Sequence, residues 1–196
     1  MPESPEEWKM TSDALKEAWN FPHCLVAIDG KHIAIKKPEN SGSFYFNYKK
    51  FFSIVLMAVV NGNYEFIMAD VGVNGRVSDG GVISATDFGR RLETADLNLP
   101  DPEPIVFNGK SMPYVFVADD AFAMSTNLLK PYGGKLDRDQ QVFNYRLSRA
   151  RRVSEKAFGI LSARFGVLRN TMQLEPEKAA STTLACCYLH NFLRKI

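Results

Sequence analysis

Asp29, Asp119 and Glu155 are the residues best placed to do chemistry. Asp29 closes the apolar run His23-Cys-Leu-Val-Ala-Ile28 and is followed by Gly30. Asp119, with Asp120 beside it, closes a second run, Pro113-Tyr-Val-Phe-Val-Ala118. Glu155 lies in the stretch 144–168, where apolar residues recur at 150, 153, 157, 160/161, 165 and 168. That is helical spacing. Glu155 lies off the apolar stripe, among Arg151, Arg152, Phe158, Gly159 and Ser162. In an open α/β sheet, ligands bind at strand ends. If the two aspartate-ending strands are neighbours, both carboxylates project from one edge, and a helix across that edge adds Glu155. Three acids brought together with no Lys or Arg between them repel one another, and persist only around a cation. Carboxylate oxygens select Mg²⁺ or Mn²⁺ rather than zinc. Two such ions about 3.5–4 Å apart activate water and steady the leaving oxygen of a phosphodiester. The plainer alternative is that strand-end aspartates cap loops and that Glu155 pairs in solvent with Arg151, one turn back.

Charge narrows the choice of partner. Net charge is only +2, but residues 145–169 hold Arg146, Arg149, Arg151, Arg152, Lys156, Arg164 and Arg169 against a single acid, Glu155. A cationic stripe on one helix is the footprint of a phosphate-rich partner. Arg149 and Arg152 lie six and three residues before Glu155 and share its side of the helix, which makes them candidate DNA contacts. Two alternatives stand beside this: a solvated face, or ion pairs with Asp137 or Asp139 at the helix start. Asp79 is read first as an N-cap, because it follows Ser78 at a helix start, and second as an additional ligand. Asp120 points away from Asp119 by strand alternation. Cys186-Cys187-Tyr-Leu-His190 reads as helix packing, since adjacent cysteines do not both face one zinc and no second pair exists. His32 and His190 read as structural. No Ser-His-Asp or Cys-His nucleophile pattern and no phosphate-cradling glycine loop is present.

The elements that must position these residues follow from pattern. A short amphipathic helix is expected over 4–20, with Pro5 in its first turn. A buried strand follows to Asp29-Gly30, where glycine permits a turn or the close approach of a ligand, and Ile33-Ala-Ile-Lys36 is a short extended continuation. A loop rich in aromatics, Lys and Asn spans 38–49. Strands over 51–61 and 64–73 form a hairpin around Asn61-Gly62. A helix over 80–94, a loop over 96–111, the strand ending at Asp119, a short helical turn over 125–129 and a long helix or two abutting ones over 137–168 complete the order, with a last helix over 176–195. Strand, hairpin, helix, strand, helix, helix predicts a mixed α/β sheet, an antiparallel hairpin plus parallel strands, flanked by helices. The 196 residues suffice for one substantial core, preceded by a helical lead-in at 1–21. Three cysteines, an odd count without repeated spacing, suggest a reducing, intracellular setting. The start lacks the basic and apolar regions of a signal peptide, and the longest apolar run, Ile54–Val60, is too short to span a membrane.

These pieces, taken together and in order, resemble the catalytic domain of PIF/Harbinger transposases and the nucleases derived from them, a branch of the DDE superfamily. The matching segments are Ile28-Asp-Gly-Lys-His-Ile33, Gly75-Arg-Val-Ser-Asp-Gly-Gly81, Ala118-Asp-Asp-Ala-Phe122, Lys130-Pro-Tyr132, Phe143-Asn144, Arg149 to Gly159, Arg164-Phe165 and Leu189-His-Asn191. The resemblance implies an RNase H-like catalytic domain over 22–196. It implies a metal-binding catalytic triad of Asp29, Asp119 and Glu155, with 35 residues between the last two. It also implies DNA as substrate, a pair of Mg²⁺ or Mn²⁺ ions, and a nuclear location. A separate Myb/SANT-like DNA-binding partner and a homo-oligomer are consistent with it. The helix-turn-helix region usual upstream in this family has no room here, so site recognition and full transposition are not expected of the chain alone. The alternative function is a domesticated DNA- or protein-binding module, or a transposon fragment, that keeps the fold without turnover; the intact triad favours the enzyme.

Overall fold

A computed structural model describes residues 1–196. Ser4 caps the first helix, α1 (Pro5–Trp19), its hydroxyl accepting from the Glu7 amide, and Asn20 ends it in the left-handed region. There follow β1 (Cys24–Ala34), β2 (Ser53–Val60), β3 (Phe66–Asn74), α2 (Asp79–Ala85) and α3 (Asp87–Glu93). Next come the short strands β4 (Glu103–Pro104), β5 (Ser111–Met112), β6 (Val115–Val117) and β7 (Leu128–Leu129). The helix α4 (Arg138–Arg164), a 3₁₀ turn at Gly166–Leu168 and α5 (Pro176–Arg194) complete the chain.

Five strands form one sheet in the order β3-β2-β1-β6-β7. The pairs β3–β2 and β2–β1 are antiparallel, whereas β1–β6 and β6–β7 are parallel. This is the mixed, RNase H-like arrangement expected from the order of elements. Helices cover both faces. Ala150, Val153, Ala157 and Leu161 of α4, with Ala179, Cys186 and Cys187 of α5, pack on one side. Val82 and Ile83 of α2 and Phe88 of α3 pack on the other. β2, buried along its whole length, therefore carries no polar alternation. α1 belongs to the same body. Its Trp8 is fully buried, meets Phe116 edge-on at 5.6 Å and donates its indole N–H to the Leu97 carbonyl at 2.8 Å.

Four elements depart from expectation. β1 does not stop at Asp29-Gly30. Its second half pairs with β2 from Asp29↔Ala58 to Ala34↔Ser53, and ladder bonds hold the chain extended past the end of the apolar run. The helix expected over 80–94 is two helices, because Thr86 is extended (φ −79°, ψ 159°) and its hydroxyl caps α3 through the Gly89 amide. Residues 125–129 are not helical: Leu128–Leu129 adds the edge strand β7, claimed by parallel pairing with Phe116 and Val117. The loop at 96–111 contains β4 and leads into β5 at its end, the two forming a small ladder paired through Glu103↔Met112 and Pro104↔Ser111.

Candidate active site

β6 pairs with β1 only between Cys24 and Ala27 and ends at Val117, while β1 runs on to Ala34. β1 therefore has an open edge on that side beyond Ala27, until Met172 pairs with the chain at Ile35, and Asp29 sits at the start of that opening. Asp119 comes just past the end of β6, in a turn where its carboxylate accepts the Ala121 amide at 3.0 Å. Asp79 enters from α2. Its way in is Gly30: a β-carbon built there would lie 2.2 Å from Asp79 Oδ1, so a side chain at position 30 would expel that carboxylate. Gly80 does the same for the backbone, since a β-carbon there would stand 2.7 Å from the Ala121 carbonyl. Two glycines thus let the start of α2 close on the turn after β6. As a result, carboxylate oxygens of Asp29, Asp79 and Asp119 all lie within 4.8 Å of one another.

The reading of Asp79 as an N-cap is corrected here. Ser78 is the cap, accepting from the Gly81 amide at 3.4 Å, and Asp79 is the first helical residue, its carboxylate free to turn inward. Asp119 rather than Asp120 faces the group; Asp120 is exposed.

Asp29 is the most constrained of the three. One oxygen accepts the Gly30 amide at 2.9 Å, and the other lies 3.1 Å from the Ser154 hydroxyl of α4. Burial pushes the Asp29 carboxyl up to about 6; the Ser154 hydroxyl, Arg151 and the Gly30 amide oppose the rise, and Asp119 adds to it. Burial, then the charge of Asp119, also raises Asp79, against a pull from Lys49. The Ser154 hydroxyl has one proton and a second acceptor, the Arg151 carbonyl at 2.8 Å. A protonated Asp29 donates to that hydroxyl, which then donates onward; an ionised Asp29 competes for its proton. Arg151 is the one cation paired into the group. A guanidinium nitrogen lies 3.9 Å from Asp119 Oδ2, the side chain is 19% exposed, and its Nε has no partner. One guanidinium does not balance three carboxylates. An all-oxygen, half-buried donor set with excess negative charge fits a hard divalent cation, Mg²⁺ or Mn²⁺, and not a thiolate metal. The cysteines lie elsewhere: Cys186 and Cys187 are buried in α5, and His190 Nε2 bonds to the Tyr64 carbonyl at 2.8 Å.

Glu155 is not brought into the group. It is exposed on α4, next to buried Ser154 and one turn after Arg151. Arg149 is half-buried, with its guanidinium over the Tyr145 ring at 5.8 Å, and Arg152 is exposed. Neither is ion-paired with Asp137 or Asp139; Asp137 instead caps α4 through the Gln140 amide at 2.8 Å. Sequence reasoning passed over Ser154 and the inward turn of Arg151. Their signal was available, since Ser154 lies four residues after buried Ala150 and three before buried Ala157, on the face that meets β1.

The sequence model of a family described as "DDE superfamily endonuclease" matches residues 28–191, a stretch that contains Asp29, Asp79, Asp119 and Glu155. The chain is 27% identical over 194 residues to "Protein ALP1-like" of Arabidopsis thaliana, covering 95% of this chain and 48% of that protein. It is 26% identical over 174 residues to "Putative nuclease HARBI1" of Rattus norvegicus, and 25% identical over 174 residues to the Homo sapiens protein of the same name. Each of those matches covers 87% of this chain and 46% of the relative. The chain thus spans about half the length of the curated relatives it matches. No solved structure matches it significantly.

Proposed function

This chain belongs to the DDE superfamily endonuclease family, and from that premise we propose that it is a metal-dependent nuclease that hydrolyses DNA phosphodiester bonds. The observation that carries the reading is the convergence of Asp29, Asp79 and Asp119 around Gly30. Asp29, Asp79 and Asp119 would hold the metal, with Glu155 joining them from the rim of α4. A pair of Mg²⁺ or Mn²⁺ ions bound there would supply an activated water and charge stabilisation for the leaving oxygen.

The residues around the carboxylates have separable tasks. Ser154 and the Gly30 amide fix the orientation of Asp29 and favour its ionised form. Arg151, already turned inward beside Asp119, offsets part of the negative charge that the carboxylates and a bound phosphodiester bring together. Arg149 and Arg152, without acidic partners, hold the DNA backbone along α4. In a Harbinger-type reaction the 3′-OH released by hydrolysis attacks a second DNA strand, and we extend the proposal to that strand transfer. Sequence recognition would then come from a separate Myb/SANT-like DNA-binding protein, and the site of action would be the nucleus. No helix is long and apolar enough to cross a membrane.

The test is plasmid nicking in Mg²⁺, in Mn²⁺ and in EDTA, with Asp29→Asn, Asp79→Asn, Asp119→Asn and Glu155→Gln beside the wild type. Cleavage that needs metal and is lost in all four is the expected result. Cleavage that persists in EDTA would overturn the metal reading. Full activity in Glu155→Gln would remove Glu155 from the site and leave the three aspartates as the ligands. No cleavage under any condition, with DNA binding retained, would favour a binding module.

A further inference from the structure

Tyr48 stands at the rim of the carboxylate group with 78% of its surface exposed, on a turn whose base is buried. Asn47 and Ser53, which frame that turn, are 3% and 0% exposed. The Asn47 amide nitrogen donates to the Ser53 hydroxyl at 2.8 Å, and the Asn47 side-chain oxygen accepts the Phe51 amide at 3.2 Å. Ser53 Oγ also lies 2.9 Å from His32 Nδ1, on the strand that carries Asp29. The Lys50 amide closes the turn on the Asn47 carbonyl at 3.0 Å, with Lys50 in the left-handed region at φ 66°. Gly75 packs on the same anchor, since a β-carbon there would lie 2.1 Å from Ser53 Oγ. The exposed ring is therefore held from below by satisfied, buried polar groups, and apolar burial does not account for its place.

Tyr48 meets the His32 ring edge-to-face at 5.5 Å and 68°, and no ring lies parallel to it. The Lys49 ammonium stands over it at 5.4 Å. A single open cavity of about 600 Å³ runs from Phe46, Tyr48 and His32 past Arg76 to Asp79 and Asp119. We propose that Tyr48, backed by His32 and flanked by Phe46, is a stacking platform for a base of the DNA that has left the duplex next to the phosphate being cut. The inference rests on the nuclease reading and names its substrate class: DNA with an unpaired, or easily unpaired, nucleotide at the cleavage point. Bases inside a duplex have both faces covered, so only an extruded or single-stranded base can use such a ring. Stacking on an aromatic side chain tolerates any base, because every base has a π-face. Lys49 and Arg76 supply cations for the flanking phosphates.

The experiment compares two duplexes in EDTA, identical except that one leaves a single 2-aminopurine unpaired. Wild type should bind the unpaired duplex about tenfold more tightly and quench the probe, as one stacked base implies. Tyr48→Ala should lose both the preference and the quenching, and Tyr48→Phe should keep both. Equal binding of the two duplexes by wild type, or quenching retained in Tyr48→Ala, would overturn the platform. Nicking run in parallel separates the two ideas. Cleavage without preference sinks the platform alone, preference without cleavage removes the nuclease reading alone, and absence of DNA binding sinks both.

Discussion

Asp29 shows how a single residue links stability to function. Burial raises its carboxyl to about 6, so the folded chain favours the protonated form relative to the unfolded chain. The stability this contributes is complete below the ordinary carboxylate value near 4 and is lost as pH rises through about 6. Metal-free Asp29→Asn should therefore melt higher than wild type at pH 7.5, by on the order of 1–2 kcal/mol, and match it near pH 4. With Mn²⁺ present at pH 7.5 the order should reverse, because ligand binding stabilises only the protein that holds the ion. Melting curves at the two pH values, with and without Mn²⁺, check both signs. A variant that never exceeds wild type in stability would mean that Asp29 is not strained by its surroundings.

At the scale of elements, the start of α2 places a capping residue, Ser78, beside a member of the carboxylate group, Asp79. Ser78→Ala removes the cap and should lower stability by about 0.5–2 kcal/mol while Mn²⁺ still shifts the melt. Asp79→Asn should do the opposite, keeping or raising metal-free stability and shrinking the Mn²⁺ shift. If the two variants behave alike, Asp79 acts through the helix and not through the site. The α4 arginines carry a different test. Neither Arg149 nor Arg152 has an acidic partner to lose. Arg149→Gln and Arg152→Gln should each flatten the salt dependence of DNA binding by about one unit of log–log slope, equally on unrelated sequences. A lowered melting point with an unchanged slope would show that these side chains serve the fold. Binding isotherms at several salt concentrations decide it.

For the whole molecule, the sheet carries the acids and α1 helps to hold the sheet. Trp8 fills the face where Phe116 lies, two residues before Ala118 and three before Asp119. Trp8→Ala should cost about 3–5 kcal/mol, the range for emptying a large aromatic site. It should reduce cleavage only as far as it unfolds the protein, so that activity per folded molecule in a urea titration stays near wild type. A larger loss of activity at full folding would mean that α1 also sets the position of the Asp119 turn.

The sequence by itself determined the sheet class, the hairpin, the position of α1 and α5, and the aspartates at 29 and 119. Each of these rests on local chemistry: apolar period, turn residues, capping, or an acid interrupting a buried run. Tertiary structure decided what depends on residues distant in sequence. Whether β1 ends at Gly30 depends on β2, whose ladder carries the strand on to Ala34. Whether Leu128–Leu129 is helix or strand depends on an edge left open by β6. The third carboxylate of the group was decided the same way. Asp79 lies 50 residues beyond Asp29 in sequence, and nothing local to it distinguishes a cap from a ligand. The choice was made by the missing side chain of Gly30, whose empty space the Asp79 carboxylate fills, and by Ser78, which met the helix's need for a cap. Glu155 was legible as a carboxylate on a basic helix, but the rotation of α4 about its axis, set by Ala150, Val153 and Ala157 packing on the sheet, turned Ser154 toward Asp29 and left Glu155 at the rim.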